Sequence, residues 1–466
     1  MPADSDGMLT AVRTSAIEEQ AAAAQLLYLV IERLQAAFYP YVEQAARCVI
    51  PLLKSPHEDV RSYCLVAVPE LVRSAATAAG GDRNGLKAIS DFLLGSLLTS
   101  VETEGVIELI MTGLQAVKMT LHYSSIDWTK VASYSEPPLP LPATSIEIYT
   151  PAQLASVSKT VKIVLRDSIQ RRAVLRAEAQ LGGCRDDDDA DDERAFLEES
   201  MELHLNVAEV LGMLMRTHSS SYFSAFVEEW REMTLEMARD ICLLEDRKFA
   251  LFVICDALEF APHSANASLY FSTTLPVLIS GCSSVDSSIR QLCCYGLGAA
   301  ATANPVAFSP HTSAALQVLL AAATEGRSDD AADNAVAALG YVLESREGLG
   351  VSGADSAPLS ELWARWLDLL PLRNDRGEGA RVIRQLVALL WRALGGASSL
   401  LLPTAEPQAT LRTVQCACLL VTVHGSELSD KETDTLIAAL LRALVGSGLA
   451  SRLSGDYRDR LERIVA

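Results

Sequence analysis

Residues 283–301, SSVDSSIRQLCCYGLGAAA, limit what this chain can fold into. A polar loop over 283–288 opens a predicted helix with Ile289 and Arg290 in its first turn and a small apolar run from Cys293 to Ala299 in its middle. So little polar surface remains that this helix must pack on both sides, and Gly298, Ala299 and Ala300 let neighbouring helices approach closely. Such a helix needs copies of itself, and they are present. Gly340, in NAVAALGY, follows Gly298 by forty-two residues, and Gly212, in VLGM, precedes it by eighty-six, two units of forty-three. The unit expected midway is 247–260, RKFALFVICDALEF, entered through Glu245, Asp246 and Arg247.

A fixed period near forty with two helices per unit is the sequence sign of HEAT or armadillo arrays. The expected fold is all-α, a HEAT-repeat solenoid built as a right-handed superhelical array of antiparallel helix pairs. Composition agrees: half of the 466 residues are hydrophobic, only 6% are aromatic, and the 18 prolines sit mostly between helical stretches. Helices are expected over 15–35, 39–54, 58–74, 86–99, 104–121, 152–180, 195–216, 222–239, 247–260, 267–280, 287–301, 311–324 and 329–344. They continue over 359–370, 381–394, 410–423, 431–445 and 457–465. Residues 1–13 read as a disordered amino-terminal tail and 14–466 as one continuous array. Two segments interrupt it, a Pro-rich loop over 123–150 and an acidic insert over 184–194. The loop contains Pro137, Pro138, Pro140 and Pro142, and a solvent-facing inter-repeat connection is expected there.

The formal net charge of −20 favours basic partners and disfavours direct nucleic-acid binding, since no local basic patch reverses the field. Ten cysteines form no CxxC pair and fall mostly inside apolar runs, where a thiol behaves as a small hydrophobe; a reducing compartment is expected. The acidic first residues lack the order of a signal peptide, and no uncharged apolar run is expected to span a bilayer, so no membrane partner is expected.

Signals for catalysis are weak. Gly80 and Gly85 have the spacing of a phosphate loop, but Leu86 stands where its lysine is required. Gly348, Gly350 and Gly353 spell GxGxxG after a predicted helix rather than a strand, and a loop running into Ala357 and Pro358 is expected. The seven histidines are scattered, with no HExxH or GxSxG. No catalytic, cofactor-binding or metal-binding residue is assigned, and no enzyme is expected.

Asp186, Asp187, Asp188, Asp189, Asp191, Asp192 and Glu193 place seven acids in eight residues, a run that self-repulsion should keep solvated. On the helix that follows, Glu198, Glu202 and Glu209 fall within a 40° arc at 100° per residue, so an acidic stripe is expected to face solvent. Tyr222, Phe223, Phe226 and Trp230 lie on one first helix of a pair, and Tyr270 and Phe271 on the next. Aromatics at helical spacing ordinarily fill repeat interfaces.

Several segments resemble the carboxy-terminal part of the importin-beta (karyopherin-beta) nuclear transport receptors, most of all the importin-5 (karyopherin beta-3) branch. They are TSAIEE from Thr14, YVEQ from Tyr41 leading to VIPLLK from Val49, and Val60-Arg61. The acidic run beside Glu198-Glu199-Ser200, Ile289-Arg290-Gln291 with YGLG from Tyr295, and WLDLLPL from Trp366 with Asp375 complete the set. The resemblance covers about Thr14 to the end and implies a receptor that carries protein cargo through the nuclear pore, shuttling between cytoplasm and nucleus. It implies a cargo face lined by second helices, where the seven acids and Glu198, Glu202 and Glu209 would hold basic cargo of histone or ribosomal-protein character. It also implies slots between first helices for nucleoporin Phe-Gly repeats, bordered by Tyr222, Phe223, Phe226, Trp230, Tyr270 and Phe271. Ran-GTP is expected to bind only a longer form with the family's amino-terminal repeats. A HEAT-repeat scaffold or regulatory subunit of a signalling enzyme is the alternative.

Overall fold

Paired helices stacked in two layers make up the chain in the computed structural model. It describes residues 5–78, 83–131, 145–181, 187–324, 329–350, 353–395, 400–402, 408–445 and 452–466. Within these, the side chains of 5–16, 178–181, 187–194, 353–357 and 408–409 are left aside. Among the described residues there is no strand. The chain divides into two units, Met1–Glu232 and Met233–Ala466.

In the first unit the helices are α1 (Ser5–Leu34), α2 (Val42–Leu52), α3 (Glu58–Ala78), α4 (Arg83–Thr103), α5 (Ile107–Ser125), α6 (Pro151–Leu181) and α7 (Asp187–Met237), the last running past the boundary. The second helices α1, α3 and α5 pack on one another, and the first helices α4 and α6 form the other layer. The second unit holds α8 (Leu244–Glu259), α9 (Ala265–Gly281), α10 (Ser287–Ala303), α11 (Pro305–Phe308) and α12 (Thr312–Thr324). It continues with α13 (Asp330–Gly348), α14 (Gly353–Asp368), α15 (Arg376–Leu394), α16 (Gln408–Val423), α17 (Lys431–Val445) and α18 (Gly455–Val465). Here α8, α10, α13, α15 and α17 stack in sequence as second helices.

Side chains near the start of the second helices tie each unit to the next. Asp286, Asp329 and Asp375 cap α10, α13 and α15 by accepting from the backbone N–H three residues on, at 3.0, 3.0 and 2.8 Å. Arg290, one turn into α10, donates to the carbonyls of Ser284 and Val285 and pairs with Asp329 of the next unit at 2.6 Å. Arg61 does the same in α3, reaching the Ser55 carbonyl and Glu104 at 2.8 Å. In α13 the equivalent position is an acid, and Asp333 accepts instead from the backbone N–H groups of Arg373, Asn374 and Asp375.

Close approach occurs where the small residues predicted it. A Cβ built on Gly298 would lie 3.1 Å from both Cα and Cβ of Ala338 on α13 and 3.2 Å from Tyr341. One built on Gly340 would meet the Trp366 indole at 2.7 Å. Gly298→Leu should therefore cost about 1–3 kcal/mol through overpacking. Thermal unfolding measures it, and an unchanged midpoint would contradict the contact. Gly326, where a similar change is expected to matter less because a loop is expected there, lies outside the described residues.

Four expectations need correction, while the helices expected over 195–216 and 222–239 are both present within α7 and meet at a kink at His218 (φ −132°, ψ 31°). There Ser145 takes the Thr217 carbonyl at 2.8 Å and Thr217 meets His218 Nδ1 at 2.8 Å, so side chains serve a polar run that has partly left the helical pattern. Helix α1 starts at Ser5, so residues 5–13 are helical rather than a tail. The connection over 123–150 is not wholly solvent-facing: 132–144 lie outside the described residues, but Trp128, Ile148 and Tyr149 on its flanks are buried. The GxGxxG segment does open a helix, α14, yet helix α13 rather than a strand precedes it, so the dinucleotide context is still missing. Finally, Pro305–Thr324 is 20 residues long, with a mean hydropathy of 1.3, and by length and composition alone could cross a membrane. In the array it is broken by the 3₁₀ turn Ser309–His311 and buries Thr312, Ala315, Leu316 and Leu319 as the first helix of a pair.

Candidate protein-interaction surfaces

The acidic residues singled out in the sequence separate into three groups. Asp186 lies outside the described residues, while Asp187, Asp188, Asp189, Asp191, Asp192 and Glu193 belong to the first turns of α7, where negative charge complements the helix dipole; their side chains are not described. Glu198 and Glu202 are exposed on the same helix, as the stripe predicted. Glu209 is already engaged: it accepts from Gln115 at 2.7 Å and pairs with Lys118 at 2.8 Å, joining α7 to α5. Its charge is largely spent within the protein, so the open stripe ends before it.

The aromatic set is core. Tyr222, Phe223, Phe226, Trp230, Tyr270 and Phe271 are each at most 1% exposed. The Tyr222 hydroxyl and the Trp230 indole N–H both donate to Ser158 Oγ on α6, at 2.9 and 2.8 Å, and the Lys162 ammonium lies 5.3 Å from the Trp230 ring. Side chains so enclosed cannot border a Phe-Gly slot without opening the repeat. Periodicity gave their spacing correctly; it could not show that α6 holds Tyr222 and Trp230.

Two cavities elsewhere offer accessible surface. In the first unit a cleft of about 580 Å³ lies between the first helices α4 and α6 and the start of the described part of α7. Val101, Ile163, Val164, Val174, Leu175 and Phe196 give it an apolar wall, and Val174 and Leu175 are 50% and 43% exposed. Glu102, Glu104, Asp167 and Arg171 surround it with charge. No single residue type in the sequence marked this cleft, because its apolar groups come from four helices, α4, α5, α6 and α7.

In the second unit a cavity of about 280 Å³ opens on the second-helix layer of α8, α10, α13 and α15. Its floor is made of small residues, Gly298, Ala299, Ala337 and Ala338. At one side Tyr295 donates to Glu259 Oε2 at 2.7 Å. At the other Tyr341 donates to Glu378 Oε1 at 3.1 Å, and Arg381 pairs with Glu378 Oε2 at 2.8 Å. Burial, with the neighbouring carboxylates, pushes both tyrosine hydroxyls well above their ordinary range, so they stay protonated donors. Burial likewise raises Glu378.

Among the described residues the thiols and histidines form no chemical centre. Burial pushes Cys64 up to about 11 and Cys416 to about 12, which removes nucleophilic thiolate. His122, His204 and His218 are buried and held down to about 4, and among the described residues no group of metal-binding side chains converges.

No protein-family model matches the sequence. It is 21% identical over 353 residues to human importin-4, covering 75% of this chain and 29% of that protein. It is 23% identical over 397 residues to a probable importin-5 homolog of Dictyostelium discoideum, covering 80% and 34%. The chain thus spans about a third of the length of these relatives. Among solved structures, karyopherin Kap121p bound to the SUMO protease Ulp1p matches with a TM-score of 0.64 at 17% identity, covering 97% of this chain and 38% of that one. Kap121p bound to Nup53p gives 0.64 at 15%, covering 97% and 37%, and Kap121p bound to RanGTP gives 0.62 at 16%, covering 97% and 37%. These relatives are transport receptors, not enzymes. The all-α HEAT-repeat fold is shared with these karyopherin structures, and over three quarters or more of its length the sequence is similar to importins of the importin-beta (karyopherin-beta) family.

Proposed function

We propose that this chain acts in nuclear import, binding basic protein cargo and nucleoporin Phe-Gly repeats while shuttling between cytoplasm and nucleus. The observation that carries the reading is the similarity to importins over three quarters or more of the chain, on a fold shared with Kap121p. Cargo of histone or ribosomal-protein character suits a chain of net charge −20, with Glu198 and Glu202 exposed beside a run of seven acids. Each exposed contact is worth only about 0.2–1 kcal/mol, so cargo binding is collective and falls with salt. Ran-GTP binding belongs to a longer form.

The Phe-Gly site is assigned to the cleft between α4 and α6 in place of the buried aromatic set. Its apolar wall and partly exposed Val174 and Leu175 suit a phenylalanine ring. Titrating a labelled Phe-Gly peptide into the full chain tests this. Val174→Asp should weaken binding by about fivefold or more, the worth of roughly 1 kcal/mol of apolar contact. Unchanged affinity would remove the cleft from the proposal.

A further inference from the structure

We propose that Lys159, Lys162, Arg166 and Arg176 on α6 form a docking stripe for an Asp- and Glu-rich segment of a partner protein, a partner opposite in charge to the cargo proposed above. Over 151–177 this helix carries six cations and one acid, Asp167, in a chain whose acids outnumber its bases by 59 to 39. At 100° per residue Lys159, Lys162 and Arg166 fall within about 60° and Arg176 within about 40° of Lys162, whereas Asp167 lies on the other side of Lys159. Lys159 and Arg166 are exposed, and Lys162 and Arg176 are half-buried. Among the described residues Lys159, Arg166 and Arg176 have neither a hydrogen-bond nor an ion-pair partner, although acids are in excess. The cations stand singly between other residues, so no basic run marks the stripe in the sequence.

The middle of the stripe is held from below. Lys162 donates to the Glu229 carbonyl at 2.5 Å and sits over the buried Trp230 ring, which fixes its ammonium beside Arg166. Burial lowers Lys162 from its ordinary value and the Arg166 guanidinium lowers it further, against an opposing pull from Glu229. Among the described residues the carboxylates hydrogen-bonded to α6 are Glu102 and Glu229, and hydroxyls rather than cations hold them, those of Thr160 and Ser158, each at 2.7 Å. Neighbouring cations are thus left repelling one another, and a partner carboxylate between them relieves the repulsion. Lys159 and Arg166 are about 10 Å apart along the helix axis, the length of about three residues of extended chain. A run of acids repels itself and stays extended, so it can lay successive carboxylates along the stripe. The guanidiniums of Arg166 and Arg176 can grip a carboxylate through two oxygens. At physiological salt charges are screened over about 8 Å, so the stripe rather than the net charge of −20 decides the contact.

The test is fluorescence anisotropy with the full chain at physiological salt, comparing labelled oligo-glutamate with oligo-glutamine of equal length. Oligo-glutamate should bind and oligo-glutamine should not. Lys159→Glu combined with Arg166→Glu, both at exposed positions, should weaken oligo-glutamate by about fivefold or more while the urea midpoint stays that of the wild type. Lys431→Glu combined with Arg460→Glu changes the net charge equally at exposed positions of the second unit and should leave the affinity within about twofold. Equal losses in the two double variants, or no binding of oligo-glutamate by the wild type, overturns the proposal. Oligouridylate bound more tightly than oligo-glutamate, and lost in the Lys159→Glu, Arg166→Glu variant, also overturns it, because the stripe then serves nucleic acid. Basic peptides should bind that variant at least as tightly as the wild type, which separates the stripe from the cargo surface; weaker binding would merge the two and overturn the proposal.

Discussion

Asp333→Ala is expected to destabilise the second unit by about 3 kcal/mol, among the larger single-residue effects, because it leaves buried donors unsatisfied. The carboxylate is 5% exposed and accepts from three successive backbone N–H groups, those of Arg373, Asn374 and Asp375, at 3.1, 2.5 and 2.9 Å. Those groups precede α15, whose cap is Asp375, so the same carboxylate fixes where the next repeat begins. No side chain of Ala can replace it, whereas Asn keeps one acceptor oxygen. The expected order of urea midpoints is wild type, Asp333→Asn, then Asp333→Ala. Equal midpoints for all three would show that the loop holds its geometry without this residue.

Mild acid should weaken the first unit well above the range where ordinary carboxylates titrate. His122, His204 and His218 are buried and depressed from 6.5 to about 4. Burial dominates in each case, helped at His122 by Arg216, Lys118 and Arg73 and at His204 by Arg172. Each histidine is neutral when folded and accepts a proton more readily when unfolded. Its contribution is complete above pH 6.5 and is lost as pH falls towards 4, by up to about 3 kcal/mol per residue. Denaturant midpoints at pH 7.5, 6 and 5 should fall steadily, and the slope should flatten in His122→Gln, His204→Gln and His218→Gln variants. A midpoint independent of pH over this window would contradict the burial of these rings.

The period of the array was legible because it is written in small residues: Gly298 marks the close contact of α10 with α13, and Gly340 that of α13 with Trp366 of α14. The loops were legible for a related reason, since Asp286 and Asp329 cap their helices and Arg290 spans the joint between units. The segment from Trp366 to Asp375, which carried much of the family resemblance, proves to be such a joint: Trp366 covers Gly340 and donates to the Val336 carbonyl at 2.9 Å.

Binding surfaces were harder to read, and the physical reason is that exposure depends on neighbours distant in sequence. Trp230 and Tyr222 looked available on one helix, yet Ser158 of α6 holds both. Glu209 completed an acidic stripe on a helical wheel, yet Lys118 neutralises it from α5. The α10–α13 cavity exists because glycine and alanine leave space, and an absence of side-chain volume carries no local sequence signal beyond smallness itself.

The central claim, that the chain belongs to the nuclear import machinery, is tested most directly by its own passage through nuclear pores. Fluorescently labelled full chain would be added to permeabilised cells beside an inert protein matched to its 50.1 kDa mass. The account predicts that the chain accumulates at the nuclear rim and enters nuclei faster than the matched protein, and that excess Phe-Gly peptide slows it. Entry no faster than the inert protein, with no rim staining, would contradict it.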